Sequence, residues 1–251
     1  MLKEIVIAFQ SWDKASQFIK SRGLIRNLLW PGIAYAIVFI VGLWFFWSSA
    51  NEAISWMSNQ LGVEVWLQQI SSEWLSYFFV MSGMMQRIIM VLFYFSLFKY
   101  FLLIIGAPAF SYLSEKTEAT LEQKEYDFNW KDSKKDVTRG IQLALRNLIR
   151  QCFYFLGLLI MTIIPIIGWI SPLIAIIMES YYFGVSMLDY SFARHSFTLK
   201  QSIAYSSRHK GLAIGNGLIF FAMHVFVLLA PAYAIIAATL CVHHVNNIDN
   251  A

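Results

Sequence analysis

Charge is scarce in this chain. Asp, Glu, Lys and Arg make up 14% of its 251 residues, whereas 58% are hydrophobic and 17% aromatic. A soluble domain carries about 25% charged and about 45–50% apolar residues. One soluble core cannot hide that much apolar surface, which excludes an ordinary soluble fold and leaves an integral membrane protein. Cysteine is nearly missing as well. Cys152 and Cys241 both lie in apolar stretches, so no disulfide framework is expected, and each reads as a small buried residue. The histidines (His195, His209, His224, His243 and His244) lack ligand spacing, and the adjacent His243 and His244 point apart on a helix. No metal site is expected. There is no serine, cysteine or carboxylate constellation for catalysis and no phosphate-cradling glycine-rich loop. The reading is therefore of a protein that is not an enzyme, has no catalytic residues and takes no cofactor. A net charge of +4 is ordinary for basic loops beside a membrane and gives no reason to expect nucleic acid.

A cleavable leader is not expected. Residues 1–26 interleave charges with Ile5, Ile7, Ala8, Phe9, Trp12, Phe18 and Ile19, and no small-residue cleavage site follows an apolar core. This is an amphipathic helix, lying on the membrane or packed against the protein's own cytosolic face.

What is present is four apolar blocks, at about 27–50, 74–110, 151–190 and 211–242. The first is a clean spanning helix. The second would be about 55 Å long as a helix at 1.5 Å per residue, too long for a hydrocarbon core of about 30 Å. Gly106 and Pro108 in "IIGAPAF" mark the expected bend. Lysine and arginine decide how the third block runs, because their bias sets orientation. Residues 1–26 hold five, 51–73 none, 111–150 eight and 191–210 four. If block three goes in and comes back, 17 of the 19 basic residues share the cytosolic side, and the other two, Arg87 and Lys99, lie in block two. A single crossing would strand four cations outside.

The third block is thus a hairpin whose tip is "IIPIIGWISP" (163–172). Pro165 and Gly168 end the incoming arm. Ser171-Pro172 starts the returning helix, with serine as a cap and proline at the first helical position. "SPLIAII" (171–177) is echoed by "APAYAII" (230–236), which places a second tip at Pro231. The arms read either as short spans or as half-penetrating helices. Helix starts at Pro172 and Pro231 inside the membrane are the kind that face anions in transporters, or else they simply pack.

Four stretches, in order, resemble the CysZ-type sulfate permeases, a family that also holds the etoposide-induced endoplasmic reticulum proteins. "RGLIRNLLWPGI" (22–33) resembles their Gly-Leu-Arg-Arg stretch, "IIGAPAFSYLSEKTE" (104–118) their Ala-Pro-Phe…Leu-x-Glu-Lys-x-Glu, "LDYSFARHSFTLKQSI" (188–203) their Asp-Tyr-Pro-Phe segment and "APAYAIIAATL" (230–240) their closing stretch. Ile25 replaces the first arginine and Ser191 the proline. The resemblance covers about 18–242. It implies an all-α membrane fold of two long spanning helices plus two half-penetrating hairpins, a homo-oligomer, and uptake of sulfate or a similar inorganic anion.

The whole chain, 1–251, reads as a single membrane domain, with 1–26 interfacial and 111–150 a cytosolic charged helical segment. A multi-pass protein of a bacterial inner membrane, N-terminus cytoplasmic, is expected. The anion-binding set is Arg22, Gly23, Leu24 and Arg26, where a helix N-terminus, a close backbone approach and an arginine fork meet. The alternative use of Arg26 is to anchor the helix at lipid phosphates. Arg87 and Lys99 are pathway candidates or snorkelling cations. Glu115, Lys116 and Glu118 with Arg139, Arg146 and Arg150 form either a charged gate or a solvated, salt-bridged face. Asp189 and Arg194 read as structural ties. The function expected is a channel or permease for a small oxyanion without nucleotide hydrolysis. A non-transporting membrane scaffold that holds partners is the alternative.

Overall fold

The structure, a computed structural model, describes residues 1–21, 25–60, 73–124, 130–162, 164, 167–224 and 230–249; side chains at 25–32, 34–35, 53–54, 57–58, 73–76, 79, 130–133, 224 and 245–249 are outside the description. The described elements are helices α1 (Leu2–Ser21), α2 (Ile25–Gln60), α3 (Glu73–Ile105), α4 (Ala107–Leu121) and α5 (Trp130–Thr162), a 3-10 turn (Ile167–Ile170), and helices α6 (Ser171–Arg194), α7 (Leu199–Arg208), α8 (Lys210–His224) and α9 (Ala230–Asp249). Among the described residues three segments are long and apolar enough to cross a membrane: Val80–Ile105, Lys134–Thr162 and Ile167–Arg194. Shorter apolar helices cover Ala36–Glu52, Lys210–Met223 and Ala230–His244. The protein is an all-α membrane protein.

The bend within block two falls where expected. Gly106 separates α3 from α4, and Pro108 sits in the first turn of α4, where its missing N–H leaves no gap. A Cβ on Gly106 would lie 2.7 Å from the Leu102 carbonyl and from the Phe110 ring, so the bend needs glycine.

The first hairpin is also observed. α5 and α6 lie side by side and the 3-10 turn closes them. A Cβ on Gly168 would sit 2.8 Å from the Met161 carbonyl and 2.9 Å from Thr162 Cα, so the tip closes only around glycine. Pro165 lies outside the described residues. Pro172 occupies the first turn of α6. Ser171 is a correction: it does not cap α6. Its hydroxyl instead donates backwards to the Gly168 carbonyl at 2.6 Å, and Ile170 stands at the cap position without a side-chain bond. The exposed-carbonyl problem at the end of α5 is solved by protein, since Ser82 on α3 donates to the Thr162 carbonyl at 2.6 Å. Phe78 stacks on Trp169 at the same place. Block four breaks similarly: α8 ends at His224 and α9 starts at Ala230 with a buried Pro231 as its second residue.

The two hairpins meet through small residues. A Cβ on Gly184 would fall 1.9 Å from the Ala213 carbonyl, and one on Gly217 1.9 Å from the Ser180 carbonyl. Ser180-x-x-x-Gly184 on α6 and Ala213-x-x-x-Gly217 on α8 therefore let two backbones touch, the usual way for membrane helices to pack. Just beyond, Phe183 stacks on Phe220 at 3.6 Å.

α1 packs on the protein itself, against α8 and α9, burying Ala8, Ser11, Trp12, Ala15 and Ile19. Of the two readings of this amphipathic helix, packing against the protein itself holds for that face. Trp12 donates its indole N–H to the Asn216 side chain, and Glu4 reaches the Gly211 N–H at 2.9 Å and His209 Nδ1 at 2.9 Å, so a carboxylate covers the start of α8. Leu2, Val6 and Phe9 remain exposed. α2 leans on α3 through Phe39 and Phe46, which meet Tyr94, and Tyr94 donates to the Phe39 carbonyl at 2.6 Å.

Candidate functional site

Lys99 is the only charge between Arg87 and Glu115, and Glu179 the only charge between Arg150 and Asp189. Both lie inside segments able to cross a membrane, where a lone charge is costly and turns toward a partner. They find each other. Lys99 Nζ is 2.6 Å from Glu179 Oε2 and 3.1 Å from Gln151 Oε1. Gln151 also donates to Glu179 Oε1 and accepts from the Tyr100 hydroxyl. Lys99 and Glu179 are 5% and 3% exposed, so α3, α5 and α6 are joined by a neutral, buried network. Lys99 therefore neither snorkels nor presents an uncompensated cation. Beside it lies a cavity of about 20 Å³ walled by Phe95, Phe183, Phe220 and Phe221, room for about one water. Arg87 is exposed on α3 and takes no part in this network.

A second assembly closes the opposite end of the hairpin from its tip. Arg139 on α5 forks onto Asp189, Nε to Oδ2 at 3.0 Å and Nη2 to Oδ1 at 2.7 Å, and also reaches Ser202 at 2.8 Å and the Phe197 carbonyl. Arg194 pairs with Glu115 at 2.8 Å and with Asp136, and donates to Ser111 at 3.0 Å. Four helices, α4 to α7, are tied here. These contacts confirm the structural reading of Asp189 and Arg194, and they place 191–210 at the same end of the bundle as 111–150. A cavity of about 940 Å³ opens among them, lined by Glu115, Glu118, Asp136, Arg139, Arg194 and His195, among others.

Glu118 is buried in that wall, with His195 Nε2 at 3.3 Å and His243 Nδ1 at 3.5 Å. These are close approaches and not aligned hydrogen bonds, because neither Glu118 oxygen has a hydrogen-bond partner among the described residues. The facing Glu118 carboxylate holds His195 above the usual histidine range, against desolvation by burial. Ser114 and Thr239 share a buried hydrogen bond at 3.1 Å one turn away.

The charged set read as either a gate or a salt-bridged face is thus split. Glu115, Glu118 and Arg139 come together, whereas Lys116 turns to Tyr112, at 3.4 Å from its hydroxyl. Arg146 and Arg150 belong to a different cavity, of about 410 Å³. Arg22, Gly23 and Leu24 lie outside the described residues, as does the side chain of Arg26. The residues that sequence reasoning missed are Glu179 and Gln151. Their signal was the presence of two lone charges of opposite sign in separate apolar runs.

Three stretches distant in sequence, 104–118, 188–203 and 230–240, thus converge in space, through Arg194 to Glu115, His195 to Glu118 and Thr239 to Ser114. Residues 11–238 match the family described as sulfate transporter CysZ/etoposide-induced protein 2.4. The chain belongs to this family. A sulfate transporter CysZ of Pseudomonas syringae pv. tomato (strain ATCC BAA-871 / DC3000) is 29% identical over 144 residues, which make up 55% of this chain and 56% of that relative. The chain spans about half the length of this relative. Within the CysZ/etoposide-induced family match fall the ion pair of Lys99 and Glu179 and the arginine ties at Arg139 and Arg194.

Proposed function

We propose that this protein lets a sulfate-class oxyanion cross a bacterial inner membrane as a channel or permease, down its gradient and without nucleotide hydrolysis. The observation that carries the reading is the ionic network of Lys99, Glu179 and Gln151 inside the bundle. Ionisable groups inside spanning segments are costly, and beyond tying helices together such groups accompany ion and proton paths. In this reading Arg22, Gly23, Leu24 and Arg26 bind the anion at the cytosolic end of its path, and the wide charged cavity is the cytosolic mouth. The N-terminus is cytoplasmic, both hairpins turn inside the membrane, the chain is one membrane domain, and copies associate as a homo-oligomer.

Uptake of radiolabelled sulfate into proteoliposomes without nucleotide tests this directly. Wild type should carry sulfate, and Arg26→Ala should lower the flux by about tenfold, the loss of one charge-assisted contact. Absence of anion flux under every imposed gradient would sink the reading. The small size of the cavity beside Lys99 favours one other reading, a non-transporting scaffold with a sealed core. A scaffold predicts no flux and loss of partner or membrane effects when 1–20 are deleted.

A further inference from the structure

Arginines line two cavities in different settings. In the large cavity every described arginine has a carboxylate: Arg139 has Asp189, and Arg194 has Glu115 and Asp136. The cavity of about 410 Å³ between α5, α6, α7 and the start of α8 is different. Arg146 and Arg150, one turn apart on α5, and Lys210, the first residue of α8, line it together with Tyr154, Tyr181 and Tyr182. Among the described residues no carboxylate lines it, and neither arginine makes an ion pair. Glu4, which reaches the neighbouring start of α8, has its two oxygens engaged by His209 and the Gly211 N–H. The only bond described for the Arg146 guanidinium is a 3.3 Å contact with its neighbour Asn147.

Two guanidiniums at i and i+4 repel each other. Adding an ammonium with no anion in reach makes the arrangement unfavourable as it stands, and an oxyanion reverses the sign. Arginine forks match the edges of a tetrahedral oxyanion, and phenol hydroxyls can donate to its other oxygens. The flank of the cavity is apolar and open: Ile149, Phe153 and Ile177 are 59%, 72% and 50% exposed. The charges therefore stand at the edge of a lipid-facing surface. We infer that Arg146, Arg150 and Lys210, with Tyr154, Tyr181 and Tyr182, form a binding site for a tetrahedral oxyanion of the sulfate or phosphate class, delivered either as the free ion or as a lipid headgroup.

This site is built from other residues than the one assigned to Arg26, and it stands whether or not the protein transports. The test uses the full-length protein in detergent and in nanodiscs. One arm titrates sodium sulfate against sodium chloride at matched ionic strength and reads thermal stabilisation. The other reads retention of phosphatidylglycerol by native mass spectrometry. Arg146→Gln/Arg150→Gln should weaken sulfate stabilisation, lipid retention or both by about tenfold, with Arg146→Lys/Arg150→Lys intermediate. Loss in the sulfate arm alone marks a free-ion site, and loss in the lipid arm alone marks a headgroup site. Lys210→Gln, at an exposed position, carries the same expectation if the double variant fails to fold. Wild-type behaviour of the variants in both arms, or no binding by wild type in either, overturns the inference even if sulfate flux is found.

Discussion

Lys99 pairs with Glu179 where solvent cannot screen either charge, so removing one partner is worse than removing both. A buried charge left alone costs about 3–5 kcal/mol, whereas a hydrophobic pair of similar volume is close to neutral. Lys99→Met is therefore expected to destabilise the protein by about 3–5 kcal/mol in micelles. Adding Glu179→Leu should recover most of that loss. Denaturant unfolding of the single and double variants checks it, and a double variant no better than the single one would show that the pair is not coupled. The two lone charges could be read from the sequence, because each interrupts an apolar run. Their pairing could not, since 80 residues separate them and only the packing of α3 on α6 brings them together. The same holds for Arg139 and Asp189, 50 residues apart.

At the scale of elements, glycine decides which helices touch. Gly217 has no room for a Cβ against the Ser180 carbonyl, while Gly157 on α5 has nothing within 4 Å. Gly217→Ala should therefore cost about 1–3 kcal/mol through overpacking. Gly157→Ala should be neutral or stabilise by up to about 1 kcal/mol through helix propensity. Melting temperatures of the two variants, compared side by side, test the contact between α6 and α8; equal effects would refute it. The ends of elements are also where pH acts. His195 follows α6, faces Glu118 on α4, and shares that carboxylate with His243 on α9. Its folded pKa is raised, so its contribution to stability is full below the ordinary histidine value of about 6.5 and is lost as pH rises through the higher folded value. The melting temperature of wild type should fall across that rise relative to His195→Gln. Parallel pH profiles for the two proteins would refute the coupling. Element ends were legible wherever backbone chemistry announces them: Gly106-Pro108 gave the bend and Pro172 the start of α6. Ser171 misled because a serine before proline offers two bonds, back to a carbonyl or forward to an N–H. The closed 3-10 turn puts the Gly168 carbonyl within 2.6 Å and takes the first. For α1, amphipathicity specified a buried face but not what buries it.

On the scale of the whole molecule, positive charge and topology agree. Counting lysine and arginine required 191–210 to return to the side of 111–150, and the ion pairs of Arg194 with Glu115 and Asp136 bring those segments together. The tip of the hairpin, with Trp169 43% exposed, lies at the far end of α5 and α6 from them. The proposed orientation relative to the bilayer rests on the positive-inside bias. Two exposed positions read it out: Lys200 on α7, and Trp169 at the tip. The native cysteines need replacement first, although Cys241 is buried and Cys152 partly so. In inverted vesicles, whose cytosolic face is outward, Lys200→Cys should react with an impermeant maleimide. In intact spheroplasts it should not. Trp169→Cys reports depth. Reaction from the periplasmic side means that α5 and α6 cross fully, as the lengths of Lys134–Thr162 and Ile167–Arg194 allow. Protection from both sides means that the tip stops within the hydrocarbon, as half-penetrating arms require. Labelling of Lys200→Cys from outside intact cells would invert the topology, and with it the placement of the charged cavity at the cytosolic mouth.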